Sequence, residues 1–219
     1  MPVLALVLIV VWILLVSVVP SVLQQRRTGA LPARYHDQPG SAQLWARVVS
    51  SVGIAFAVAA PMAELVGLRP VALLDHAPLR LGGVALMVVG VAGTLVSQRA
   101  MGASWRPDVD PQARTALVTT GPFRLVRNPV FTATATTAVG LALMVPNVFA
   151  AAMLVAFFAA YQIQVRLVEE PYLLRAHGKA YRDYAARTGR FLPWVGHLRV
   201  NSQPQDEQPR AEGGAGPIP

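Results

Sequence analysis

The chain has no cysteine, so disulfides, thiolate metal sites and a cysteine nucleophile are all excluded. Lysine is almost absent too: of 19 basic residues only Lys179 is a lysine. Charge of either sign is scarce, at 14% of 219 residues, while 54% are hydrophobic. That balance is far from a soluble domain's and leaves no room for a separate soluble unit. No Gly-rich dinucleotide fingerprint occurs, and no Ser-His or Cys-His arrangement for nucleophilic catalysis stands out. His76 has no second histidine at ligand spacing and reads as a solvated loop residue. The net charge of +8 does not point to nucleic acid, because the arginines are scattered at the ends of apolar runs.

What is present is a series of apolar runs. Residues 3–23 are apolar apart from Ser17 and Ser21, long enough for the roughly 30 Å hydrocarbon core. No Lys or Arg precedes this run, no A-x-A-like site closes it, and Arg26-Arg27 follow, so an uncleaved span is expected. Residues 48–68 form a second span interrupted by Pro61 and Glu64, the carboxylate being expected at the interface. Residues 79–96 form a third whose Gly82, Gly83, Gly90 and Gly93 predict close helix packing.

A polar, arginine-rich loop from 97 to 128 follows, with Trp105 expected as an interfacial anchor. Residues 130–145, rich in threonine, and 148–168 then form a helical hairpin about the Pro146-Asn147 turn. The hairpin brings Arg127-Asn128-Pro129 and Glu169-Glu170 to the same side. Beyond it the chain is amphipathic, with helices expected to break at Gly178 and Gly189. Residues 201–219 are expected to be a disordered tail. Five spans leave 17 basic residues on one side and Arg69 and Arg80 on the other, which predicts the N-terminus outside and the C-terminus in the cytoplasm.

Two stretches carry the chemistry. The first contains Leu117-Val118-Thr119-x-Gly121-Pro122-Phe123 and Arg127-Asn128-Pro129-x-Phe131. The second contains Glu169-Glu170-x-x-Leu173, Gly178-x-x-Tyr181-x-x-Tyr184 and Arg190-x-x-Pro193. In order and spacing these resemble the isoprenylcysteine carboxyl methyltransferase family, whose broader relatives include the phospholipid methyltransferases. The resemblance covers about residues 97 to 195 and departs from the eukaryotic pattern at Asn128, where histidine is common, and at Phe123 and Phe131, which replace tyrosines.

The resemblance implies an all-α integral membrane protein with about five transmembrane helices and a cytoplasmic C-terminal helical cap over a cofactor site. Residues 1–96 would form a three-helix membrane region and 97–195 the methyltransferase core, in a bacterial inner membrane. The implied cofactor is S-adenosylmethionine, cradled by Thr115, Ala116, Leu117, Val118, Phe123, Asn128, Pro129, Val130 and Phe131, with Glu169 and Glu170 as acidic partners. Arg127 and Arg166 are the candidates for orienting an anionic group of a lipophilic or prenylated substrate; Arg166 is offset by about one residue from the family's arginine. No residue is assigned a catalytic role, since methyl transfer to a carboxylate needs positioning rather than a base. Three alternatives stand beside it: a thiol, amine or phospholipid head group as acceptor, an NADPH-dependent membrane reductase of the sterol-reductase type, and a non-catalytic membrane protein that kept the fold. No metal and no nucleic acid partner are expected.

Overall fold

The computed structural model describes residues 1–28, 39–102 and 116–198, and among these the regular structure is helical. Helix α1 (Pro2–Ile13) runs through a π turn (Leu14–Val18) into α2 (Val19–Thr28). It is followed by α3 (Ala42–Leu65) and α4 (Ala77–Met101), and then by a hairpin of α5 (Pro129–Met144) and α6 (Val148–Ile163). A second π turn (Gln164–Glu169) joins α6 directly to α7 (Glu170–Arg187). Four helical stretches are long and apolar enough to cross a membrane, and Pro129–Met144 is a shorter apolar fifth. The protein is an all-α integral membrane protein, as the sequence predicts.

Helix boundaries follow local chemistry. Ser41 caps α3, its hydroxyl accepting from the Leu44 N–H at 3.2 Å. Asn147 caps α6 through Phe149 and Ala150 N–H groups (3.0 and 3.2 Å), and its own amide donates to Ala60 O at 2.9 Å. One side chain therefore closes the hairpin and ties it to α3. Two threonines of α5 satisfy themselves on their own helix: Thr136 and Thr137 bond to the carbonyls four residues back at 3.0 and 3.1 Å.

α4 and α5 pack backbone to backbone. A Cβ placed on Gly140 would lie 2.5 Å from Met87 N and 2.6 Å from Gly83 O, and one on Gly83 would lie 2.6 Å from Gly140 O. Only glycine permits that approach, which in lipid replaces hydrophobic driving force by close contact. Gly82, on the outward face, has open space around its Cβ position. The apolar core is built from Ala5, Ile9, Ala57, Met87, Leu141, Met153 and Phe157, one or more from each spanning helix.

The two ends of the bundle differ. At one end Glu64 meets Arg80 at 3.3 Å, and Arg80 also bonds Asp75 and the carbonyl of Met144 (2.8 and 3.2 Å). The in-span carboxylate is thus a paired end-of-helix group, which answers the question that an intramembrane charge raises. The other end gathers the N-terminus of α5, the C-terminus of α6 and all of α7.

Candidate functional site

The hairpin ends meet as the spacing predicts, and what joins them is a buried ionic clamp. Arg127, whose side chain is 1% exposed, donates to Glu170 Oε1 at 2.9 Å. Arg190 pairs with the same carboxylate in bidentate geometry, Nε to Oε1 at 2.8 Å and NH2 to Oε2 at 2.9 Å. Arg127 also donates to the carbonyls of Ala185 and Gly196 at 2.7 and 2.8 Å. Its planar fork therefore holds α5's approach, α7 and the C-terminal loop in one place. A parallel bridge between Val126 and Gly189 runs alongside, with Arg127 N–H on Gly189 O at 2.8 Å.

A second joint closes the cap. Tyr184 donates its hydroxyl to Phe123 O at 2.6 Å. Burial pushes that hydroxyl up to about 12, against the opposing pull of the Arg127 charge, so it remains a donor at neutral pH. Tyr181, Tyr184 and Ala185 form a small apolar cluster onto which Leu117, Leu173 and Leu174 pack. Leu117 of the first motif is thereby held against α7. Gly178 sits at φ +49 inside α7, the kink expected there, and it lets the helix turn over the site.

Arg127 and Glu170, candidates for contact with substrate and cofactor, pair with each other and with the cap, while Arg127 Nε is buried with no partner among the described residues. Arg166, the other candidate for orienting the substrate's anionic group, lies exposed on the π turn Gln164–Glu169. In an α-helix Arg166 and Glu170 would share a face; a π turn inserts one extra residue and swings Arg166 outward. Asn128 is buried, its amide donating to Arg190 O at 3.1 Å. Thr115 lies outside the described residues, as do Trp105 and the tail after 201.

The carboxylate that remains is Glu169. It is half-buried, makes no ion pair among the described residues, and accepts from Gln164 Nε2 at 3.2 Å. That bond spans five residues, the spacing a π turn brings together. Of the proposed cradle, Leu117 packs on the Tyr181, Tyr184 and Ala185 cluster and Phe131 packs on Tyr161. His177, seven residues after Glu170 on α7, has a buried Nε2 with no partner among the described residues. Sequence reasoning assigned no role to His177, Gln164 or Arg190. Arg190 had a visible signal in the Arg190-x-x-Pro193 motif; the other two had none.

An aromatic row runs from the start of α5 into the bundle. Phe131 packs on Tyr161 (ring centroids 5.0 Å), which stacks on Phe157 at 5.8 Å. Tyr161 and Phe157 then line a narrow cleft of about 30 Å³ with Ile9, Trp12, Met87, Leu141 and Met153. Among the described residues no group of three or more His, Asp or Glu side chains is placed to hold a metal.

Residues 79–180 match the family described as phospholipid methyltransferase, which implies a membrane methyltransferase and agrees with the motif resemblance. Over 120 residues the chain is also 33% identical to the nickel-cobalt-cadmium resistance protein NccN of Alcaligenes xylosoxydans xylosoxydans. That similarity covers 54% of each protein, so the chain spans about half the length of this curated relative.

Proposed function

Taking the phospholipid methyltransferase pattern across residues 79–180 as the premise, we propose that this protein transfers a methyl group from S-adenosylmethionine to a lipophilic acceptor at the membrane edge. The observation that carries the reading is the meeting of both motif stretches at one point, through the Arg127–Glu170 pair at 2.9 Å. The residues fit the cofactor. A half-buried carboxylate outside any ion pair, Glu169, suits a cationic and hydroxyl-bearing ligand, and Leu117, Val118 and Phe131 offer apolar walls. His177 Nε2 is a further free polar atom on the cap.

S-adenosylmethionine supplies an electrophilic methyl group. The chain's own residues then have two tasks. Glu169 binds polar groups of the cofactor, and the clamp holds the cap so that water is kept out. A carboxylate acceptor is ionised at neutral pH and needs no base, which fits a site where Glu170 is committed to two arginines. An amine or thiol acceptor would leave Glu169 as the proton acceptor. Carboxylate esterification is therefore the reading favoured here. The metal resistance in the relative's name is not carried over.

The basic-residue split supports a cytoplasmic site, where S-adenosylmethionine is made available, and an outer end at the Glu64–Arg80 pair. Ser41 and Asp75 lie at opposite ends of the bundle in this cysteine-free chain. With Ser41→Cys and Asp75→Cys as single substitutions, an impermeant thiol reagent added from outside is expected to label only the second. Labelling of the first instead would reverse the orientation.

The site itself is tested at Glu169. Glu169→Gln is expected to leave the melting temperature near the parent's. Losing one charged partner removes about 1.5–3 kcal/mol of binding, or roughly a tenfold to hundredfold weakening of S-adenosylmethionine affinity. Calorimetry showing parental affinity would place the cofactor elsewhere.

A further inference from the structure

The loop after α7 is tied down more thoroughly than its length requires. Arg190 N–H donates to Val195 O at 2.7 Å and Val195 N–H to Leu192 O at 3.2 Å. The Thr132 hydroxyl donates to Phe191 O at 2.7 Å, and Asn128 gives both its backbone and amide N–H groups to Arg190 O at 3.1 Å each. Arg127 holds the far end through Gly196 O at 2.8 Å. At the tip, Trp194 has φ +63, the one non-glycine residue with positive φ among those described.

A large side chain in the left-handed region is disfavoured, and glycine or asparagine is the ordinary occupant. Such strain persists where the surroundings enforce it, and an outlier of this kind is a reason to ask what it serves. Here the indole is not repaid by packing within the protein: Trp194 is 83% exposed, and Leu192 and Val195 are each 58% exposed. The backbone is held by these hydrogen bonds while the apolar side chains stay exposed.

The loop's height identifies the occupant. Its anchors, Asn128 and Thr132, belong to the first turn of α5, where polar chain gives way to a helix in hydrocarbon. A tip fixed to that turn is level with the boundary between head groups and acyl chains, where tryptophan is enriched because its ring is apolar and its N–H polar. Arg187, exposed at the end of α7, precedes the same segment, as suits an anionic membrane surface.

We propose that the 191–195 loop is a membrane-interface anchor. Trp194, flanked by Leu192 and Val195, inserts at the head-group boundary of the bilayer. Because Arg190 belongs both to this loop and to the Glu170 clamp, insertion sets the height of the cap over the hairpin ends. The inference does not depend on methyl transfer.

The full chain in lipid nanodiscs, with Trp12, Trp45 and Trp105 replaced by phenylalanine, tests it by fluorescence of the remaining tryptophan. Severalfold stronger quenching by a nitroxide near the top of the acyl chain than by one deep in the bilayer is expected, with weak quenching by aqueous iodide. Strong iodide quenching without lipid quenching would overturn the proposal, and so would protection from both, which would mean that protein covers the tip. If the triple variant does not fold, Trp194→Cys carrying a bimane label reads the same depth in a chain with no other cysteine, and the same outcomes apply.

Discussion

Glu170→Gln is expected to cost about 3–5 kcal/mol of stability, the range for breaking a buried ion pair by removing one partner. The carboxylate is the shared anion of two guanidiniums, and its loss leaves Arg127 and Arg190 facing each other with side chains 1% and 16% exposed. The reciprocal Arg127→Lys is also expected to be poorly tolerated. A single ammonium cannot reproduce a planar fork that reaches Glu170, Ala185 O and Gly196 O together. Thermal unfolding of the detergent-solubilised protein checks this, with limited proteolysis reporting whether α7 and the following loop come free first. An unchanged melting temperature for Glu170→Gln would show that the clamp does not hold the cap. The neighbouring Glu169→Gln should separate from it cleanly, weakening cofactor affinity without the loss of stability.

The second large effect is expected at Gly140. An alanine there puts Cβ 2.5 Å from Met87 N and 3.0 Å from Met87 Cα, atoms of the facing backbone that cannot rotate away. α4 and α5 must then separate, and overpacking of this kind costs about 1–3 kcal/mol, with the upper end expected because both clashing partners are main chain. Gly82→Ala, where the added methyl meets open space, is the matched control. Helix propensity favours alanine over glycine by about 1 kcal/mol at both positions, so any difference between the two variants reports packing. Equal melting temperatures would mean that the helices do not pack as described.

Much of this architecture was legible in the sequence because a bilayer leaves the chain few choices. Apolar runs of spanning length had to be helices, and the Pro146-Asn147 turn had to return the chain, so the meeting of Arg127 with the Glu169-Glu170 pair followed from counting. The glycines of the third run announced close packing, and Gly83 and Gly90 do meet α5. The division of labour at the site was not legible. Nothing in Glu169-Glu170 distinguishes the carboxylate that is locked between arginines from the one that is not. That distinction depends on Arg190, which reaches Glu170 only after α7 has kinked at Gly178 and the chain has turned back at Gly189. The π turn at Gln164–Glu169 was equally invisible, because one extra residue in a helical turn leaves no mark on apolar periodicity at a span's end. It decides, nevertheless, that Arg166 faces outward.

The proposed cofactor site at the hairpin ends rests on the family pattern, the joined motifs and the unpaired carboxylate of Glu169. The most direct measurement is a titration of S-adenosylmethionine, S-adenosylhomocysteine and NADPH into the protein in nanodiscs, followed by calorimetry. Saturable binding of the two adenosyl compounds and none of NADPH is the predicted result. Saturable binding of NADPH, with no response to S-adenosylmethionine, would contradict the account and favour a membrane reductase.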